Sequence, residues 1–284
     1  MKTGSTLIII LFILLNDSLI ALGSTSTQTR IDNDIAFGKP VVIQVSVALA
    51  DNKNQWIAPV PESLGNGQDA RTNLYWGARY GVKTYLMKDG GWEKVATIKP
   101  QDKRILERLV LKRAFSRKDK VVQVYLVADA WNGKSIEDTI KQFLNFNAGK
   151  DAFDVQLNDK KIHAGGNAHL IVYIGHNALM DYFGAKNLTI PNPKAESSKQ
   201  ENDAIVLACK SEPFFLSRLE KLGAGPLVLT TGLMAPEAYS LHAAIKQWIA
   251  GGTRIQVKKA AADSYSKYQK IGRKAAERLF GAKQ

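Results

Sequence analysis

Apolar residues in this chain gather into short unbroken runs separated by polar stretches. Residues 41–50 (VVIQVSVALA), 121–130 (VVQVYLVADA), 170–174 (LIVYI), 205–208 (IVLA) and 227–230 (LVLT) are almost continuously apolar and rich in β-branched side chains. That pattern predicts strands buried on both faces. Residues 82–87 alternate and predict a second strand, with 92–98 as its hairpin partner beyond the Asp89-Gly90-Gly91 turn. A short extra strand is expected over 154–160. Elsewhere the spacing turns helical: 73–80 closed by Gly81, 102–115 with apolar positions 105, 106, 109, 110 and 111, and 136–147 behind a Ser135 N-cap. Further helices are expected from 178, over 213–222 capped by Gly223, over 237–250 ended by Gly251-Gly252, and over 258–280. Alternating strands and helices define an α/β fold class: a three-layer sandwich of a mostly parallel sheet with helices on both faces.

Organisation follows from the flanks of this pattern. Lys2, the apolar run 7–15 and the small residues of Ala21-Leu22-Gly23 predict a secretory signal peptide over 1–23, and so a secreted or periplasmic protein. Asn16 and Asp17 cut the run short of the ~20 residues a membrane span needs. Residues 24–39 are Ser/Thr/Asn-rich and read as a flexible lead-in. The domain is expected over 40–252, followed by a basic amphipathic helix over 253–284.

Charge changes the picture little. The 284 residues carry a formal +13, which favours acidic partners in general. The basic residues are scattered, and no nucleic-acid motif or row of stacking aromatics accompanies them. They read as a solvated surface rather than a nucleic-acid site. His163 and His169 lack the paired spacing of a zinc site, and one cysteine cannot supply the remaining ligands. No metal and no cofactor is expected, and no phosphate loop, dinucleotide fingerprint or serine elbow occurs.

The chemistry lies at two strand ends. The run 170–174 leads through Gly175 into His176 and Asn177; the run 205–208 leads into Cys209, the only cysteine. Free cysteines are commonly buried and inert, but this one ends a strand and precedes a helix expected near Pro213. A thiol becomes a nucleophile when an imidazole takes its proton, and acyl transfer also needs N–H groups aimed at the developing oxyanion. The N–H groups of Cys209 and of Gly175 or Asn177 are the candidates. Asp181, five residues past His176, is a weak candidate for orienting the imidazole or contacting substrate. Asp129, ending a strand on the same presumed edge, is another weak candidate for substrate contact.

These residues resemble the caspase-like cysteine peptidases: caspases, metacaspases, legumains, clostripain and gingipains. Ile171-Val172-Tyr173-Ile174-Gly175-His176 is similar to their strand ending in the catalytic His. Ile205-Val206-Leu207-Ala208-Cys209-Lys210-Ser211 is similar to their strand ending in the catalytic Cys. The resemblance spans roughly 40–252 and implies an exported endopeptidase acting on protein or peptide through a Cys209–His176 dyad. Two positions depart from it. Asn177 stands where a glycine follows the histidine, and Ala208 where Arg/Lys-specific members carry an acid. The loop 186–202 between the catalytic strands is an expected processing site, with Lys194 and Lys199 as candidate bonds. Two other readings remain open: a catalytically inactive relative acting as a secreted binding module, and a basic structural or envelope-associated protein. Oligomeric state is not legible.

Overall fold

The computed structural model describes residues 26–158, 160–181, 188–195 and 201–281; the expected signal peptide and Lys199 lie outside them. Strand β1 (Val41–Ala48) sits centrally in a seven-stranded sheet. The other members are β2 (Glu93–Ile98), β3 (Ile105–Arg117), β4 (Lys120–Trp131), β7 (Leu170–Ile174), β8 (Asp203–Leu207) and β9 (Gly225–Val228), in the order β2-β3-β4-β1-β7-β8-β9. From β4 to β9 all neighbours are parallel, whereas β2 and β3 are antiparallel additions at one edge. The α/β class and the mostly parallel sheet are as the apolar runs predict.

Strand residues divide between two cores, as alternation requires. Val41, Ile43, Val45 and Val47 join a cluster with Ile31, Tyr85, Trp248 and Val257. Those four come from α1 (Ser26–Ala36), α2 (Val82–Lys88), α5 (Ala238–Ile249) and α6 (Arg254–Gln269). Val42 and Ala48 join a second cluster with Ile140 and Phe143 of α3 (Ile136–Asn147) and Phe215 and Leu219 of α4 (Ser211–Lys221). Each set of alternating strand positions therefore meets its own helices. Among the described residues no helix is long and apolar enough to cross a membrane.

Several local expectations are corrected. Residues 102–115 form strand β3, not a helix: Ile105, Leu109, Leu111 and Phe115 are buried at even spacing and pair with β4. The turn joining them is Lys118-Asp119, both at positive φ (46° and 61°), the geometry of a two-residue hairpin loop. Residues 82–87 are helix α2, burying Val82, Tyr85 and Leu86 at i, i+3 and i+4, and not a strand. Residues 73–80 form turns rather than a helix. Strand β2 pairs with β3. The short strand β5 (Phe153–Gln156) pairs with an unforeseen β6 (Lys161–Ala164). The expected flexible lead-in is helix α1, anchored by fully buried Ile31 and by the Asp32–Arg117 ion pair at 2.7 Å. The C-terminal helix breaks at Lys270 (φ 55°) into α6 and α7 (Arg273–Leu279). It belongs to the domain, because Val257, Ala261, Ala262 and Phe280 are fully buried in the first core.

The chain runs from β1 to β4 on one side and then crosses to β7 on the other side of β1. Such a reversal opens a crevice at the carboxyl ends of the strands. The residues after β1, β7, β8 and β9 meet there.

Candidate functional site

The last register pair of β7 and β8 is Ile174–Leu207. His176 and Cys209 each lie two residues beyond it, on strands whose axes are ~4.8 Å apart. Asn177 ties the two ends together: its side-chain amide donates to the Cys209 carbonyl at 2.8 Å and to the Lys210 carbonyl at 3.3 Å. Both His176 and Cys209 line one cleft of about 340 Å³. Its walls come from Trp56 to Ala58 after β1, Tyr75, Met180, and Leu233, Met234 and Pro236 after β9.

Cys209 sits at a sharp strand-to-helix turn. Lys210 takes a left-handed conformation (φ 47°, ψ 41°) and α4 begins at Ser211. A non-glycine residue there costs on the order of 1 kcal/mol, so the turn has to be held. The Thr230 hydroxyl donates to the Ala208 carbonyl, the Ser211 hydroxyl donates to the Val206 carbonyl at 3.1 Å, and the Lys210 N–H donates to the Gly232 carbonyl at 2.8 Å. These bonds fix the turn and place the positive end of an eleven-residue helix beside the sulfur. The thiol is partly exposed. Its sulfur accepts the Met234 N–H at 3.3 Å and lies 3.4 Å from the Met234 carbonyl, to which the thiol donates. Among the described residues it makes no hydrogen bond to His176.

His176 is held by an acid. Its Nε2 is 3.0 Å from both carboxylate oxygens of Asp181. An ionised carboxylate only accepts, so Nε2 carries the proton and the lone pair of the neutral ring is on Nδ1. Nδ1 has no partner among the described residues. Asp181 thus holds the imidazole ring, in keeping with one of its two expected roles, and does not line the cleft.

The expected oxyanion donors separate. The Cys209 N–H has no partner among the described residues. Gly175 lines the cleft, but its N–H is spent on the Leu207 carbonyl at 3.3 Å. The Asn177 N–H has no described partner, yet Asn177 is fully buried and does not line the cleft. Of these three, the Cys209 donor alone is both without a described partner and on a cleft-lining residue.

Asp129, expected as a weak substrate contact, does not line this cleft. It is fully buried on β4, gripped by Arg108 at 2.6 and 2.9 Å and by the Gln44 amide at 3.1 Å. Burial pushes its pKa up from the ordinary carboxylate value, against the pull of Arg108. It faces a different depression, beside Trp131 and Phe153. Lys194 is described and its N–H donates to the Ala148 carbonyl at 3.0 Å. The residues that sequence reasoning missed are Met234 and Leu233. They follow a short strand with no chemical signature, and only strand order brings them to Cys209.

The fold and site thus define an α/β protein with a Cys–His–Asp set at the carboxyl edge of its parallel strands. No protein-family model, no curated protein and no solved structure matches the chain.

Proposed function

We propose that this chain is a cysteine peptidase of the caspase-like type, with Cys209 as nucleophile, His176 as base and then acid, and Asp181 orienting the imidazole. One observation carries the reading: Cys209 and His176 occupy equivalent positions past paired parallel strands and line one cleft, with the histidine's other nitrogen fixed by a carboxylate. A nucleophile, a base and a third group orienting the base is the arrangement nucleophilic catalysis requires. The Cys209 thiol gives its proton to His176 Nδ1 and the sulfur attacks the peptide carbonyl carbon. The tetrahedral oxyanion takes the Cys209 N–H. It collapses to a thioester as the leaving amine receives the proton from Nδ1. Water, deprotonated by the same nitrogen, then hydrolyses the thioester and restores the thiol. Residues 1–23 support export as the route to the substrate.

The test is alkylation by iodoacetamide near neutral pH, read by mass spectrometry, together with turnover of a peptide library. Cys209 should alkylate faster than a free thiol and Cys209→Ala should lose all cleavage. Alkylation at the free-thiol rate, with cleavage unchanged in Cys209→Ala, overturns the reading.

A specific observation favours a second reading, a catalytically inactive scaffold that binds peptides without cutting them. The Gly175 N–H is spent and Asn177 is buried, so of the three expected oxyanion donors one stays available on a cleft-lining residue, where acyl transfer uses two or more. That scaffold binds library peptides and releases them intact.

A further inference from the structure

We propose that the cleft selects peptides carrying a large apolar side chain, aromatic or of leucine size, at the residue whose carbonyl Cys209 attacks. This rests on the peptidase reading and names its substrate class. Among the described residues no Asp, Glu, Lys or Arg lines the cleft, in a chain whose residues are 23% charged. The nearby carboxylates are committed elsewhere. Asp181 holds His176, and Glu237 accepts the Tyr239 hydroxyl at 2.8 Å and the Gln269 amide at 2.9 Å. Neither is left to receive a basic side chain, and no guanidinium or ammonium lines the cleft to receive an acidic one.

The apolar lining is also offered to solvent. Trp56 is 81% exposed and Leu233 is 70% exposed, two of the six exposed large hydrophobic residues among those described. They stand on opposite walls, after β1 and after β9, with His176 and Cys209 between them. Exposed apolar groups gathered at one depression mark a binding surface.

Both walls are pre-formed. Before Trp56, the Asp51 carboxylate accepts the N–H groups of Lys53 and Asn54, and the Gln55 amide donates to the Leu49 and Gly133 carbonyls. On the other wall the Ala235 N–H donates to the Tyr265 hydroxyl at 3.0 Å, and Met234 is bonded to the cysteine sulfur. A cleft of about 340 Å³ is at the small end of ligand sites, so it contacts one large side chain and the adjoining backbone. Pre-formed walls of this kind discriminate by fit rather than by rearrangement.

The experiment uses peptidyl chloromethyl ketones that differ only at the residue bearing the reactive carbonyl: Phe, Leu, Gly, Asp or Arg. Iodoacetamide is the reference, and salt is kept high enough to screen the +13 charge. Alkylation of Cys209 should be about tenfold or more faster with Phe and Leu than with Gly, Asp and Arg. Trp56→Ala and, independently, Leu233→Ala should each shrink that preference to about threefold or less. If Asp or Arg reagents match Phe while iodoacetamide alkylation stays fast, the selectivity is wrong and the peptidase reading stands. If the Phe preference survives both substitutions unchanged, the walls do not carry it and the inference falls. If no reagent exceeds the free-thiol rate, the peptidase reading falls and the inference with it.

Discussion

Strand β7 carries a histidine at each end, and each histidine holds an aspartate. At the amino end His169 Nε2 lies 3.0 Å from Asp34, and its Nδ1 accepts the Val42 N–H at 3.1 Å. At the carboxyl end His176 Nε2 lies 3.0 Å from Asp181, and Nδ1 has no partner among the described residues. The pairs share chemistry and spacing but not surroundings. His169 is 2% exposed, with both nitrogens satisfied by β1 and α1. Burial drives its pKa down to about 4, so it is a neutral strut between the lead helix and the sheet. His176 lines a cleft with a thiol, and its Nδ1 has no partner among the described residues. A His–Asp pair therefore says little alone. What separates strut from base is whether the second nitrogen is spent.

The sharpest way to break this contrast is to remove each group in turn. Cys209→Ala and His176→Ala should each lower peptide hydrolysis by about 10³-fold or more. His176→Ala takes its partner from Asp181 and Cys209→Ala takes one from the Met234 N–H, so each should lower the unfolding free energy by about 1–2 kcal/mol. Urea titration beside a turnover assay reads both quantities. An unchanged rate in His176→Ala would make this pair a strut as well.

Asp181→Asn probes the orienting role. The amide can present its NH2 group to Nε2, which reverses the tautomer and puts the ring proton on Nδ1, toward the thiol. Turnover should fall by about 10²-fold with little change in KM. A fall confined to KM would make Asp181 a substrate contact instead.

His169→Ala should do the opposite. It leaves the Val42 N–H unpartnered and takes one of three partners from Asp34, which keeps Arg30 and Lys39, at a cost of about 1–3 kcal/mol in stability. Turnover per folded molecule should be unchanged. A loss of activity without loss of stability would refute the strut.

Much of this was legible in the sequence, and the exceptions share a cause. The β1, β4, β7 and β8 runs declare themselves because a strand buried on both faces has nowhere to put polar residues. The two ends that matter, His176 and Cys209, follow directly. Helix α1 was unreadable because it buries one fully enclosed apolar residue, Ile31, and docks largely through polar groups: Gln28, Arg30, Asp32 and Asp34. Strand β3 imitates a helix because Leu109, Val110 and Leu111 run together, and its turn uses Lys118 and Asp119 where glycine would have signalled it. At the site, sequence reasoning named both possible donors beside the histidine. It could not see that Gly175 spends its N–H on β8, because that depends on register. Nor could it see the wall after β9, because sheet order decides which loops meet.

The smallest effect is the share of the pH dependence that the strut contributes. The folded pKa of His169, about 4, lies below the ordinary 6.5 because burial opposes the charged ring. Between those values the unfolded chain takes up a proton that the folded chain refuses, so stability falls as pH drops through that window. His242, half-buried and also near 4, acts in the same direction. Asp203 acts in the opposite one: burial raises it to about 6, so the folded chain holds a proton there between 3.8 and 6 and loses stability as pH rises. Asp34, held near 2 by the His169 hydrogen bond, loses its contribution only below 3.8. Comparing wild type with His169→Gln cancels His242 and Asp203. The Gln amide can accept from Val42 or donate to Asp34 but has no proton to gain. From about pH 7 to about pH 4.5 wild type should lose about 2 kcal/mol relative to the variant, read as the difference in urea midpoints. A flat difference would mean that His169 takes up its proton in the fold, and so that the strut, like the proposed base at the other end of β7, has a nitrogen to spare.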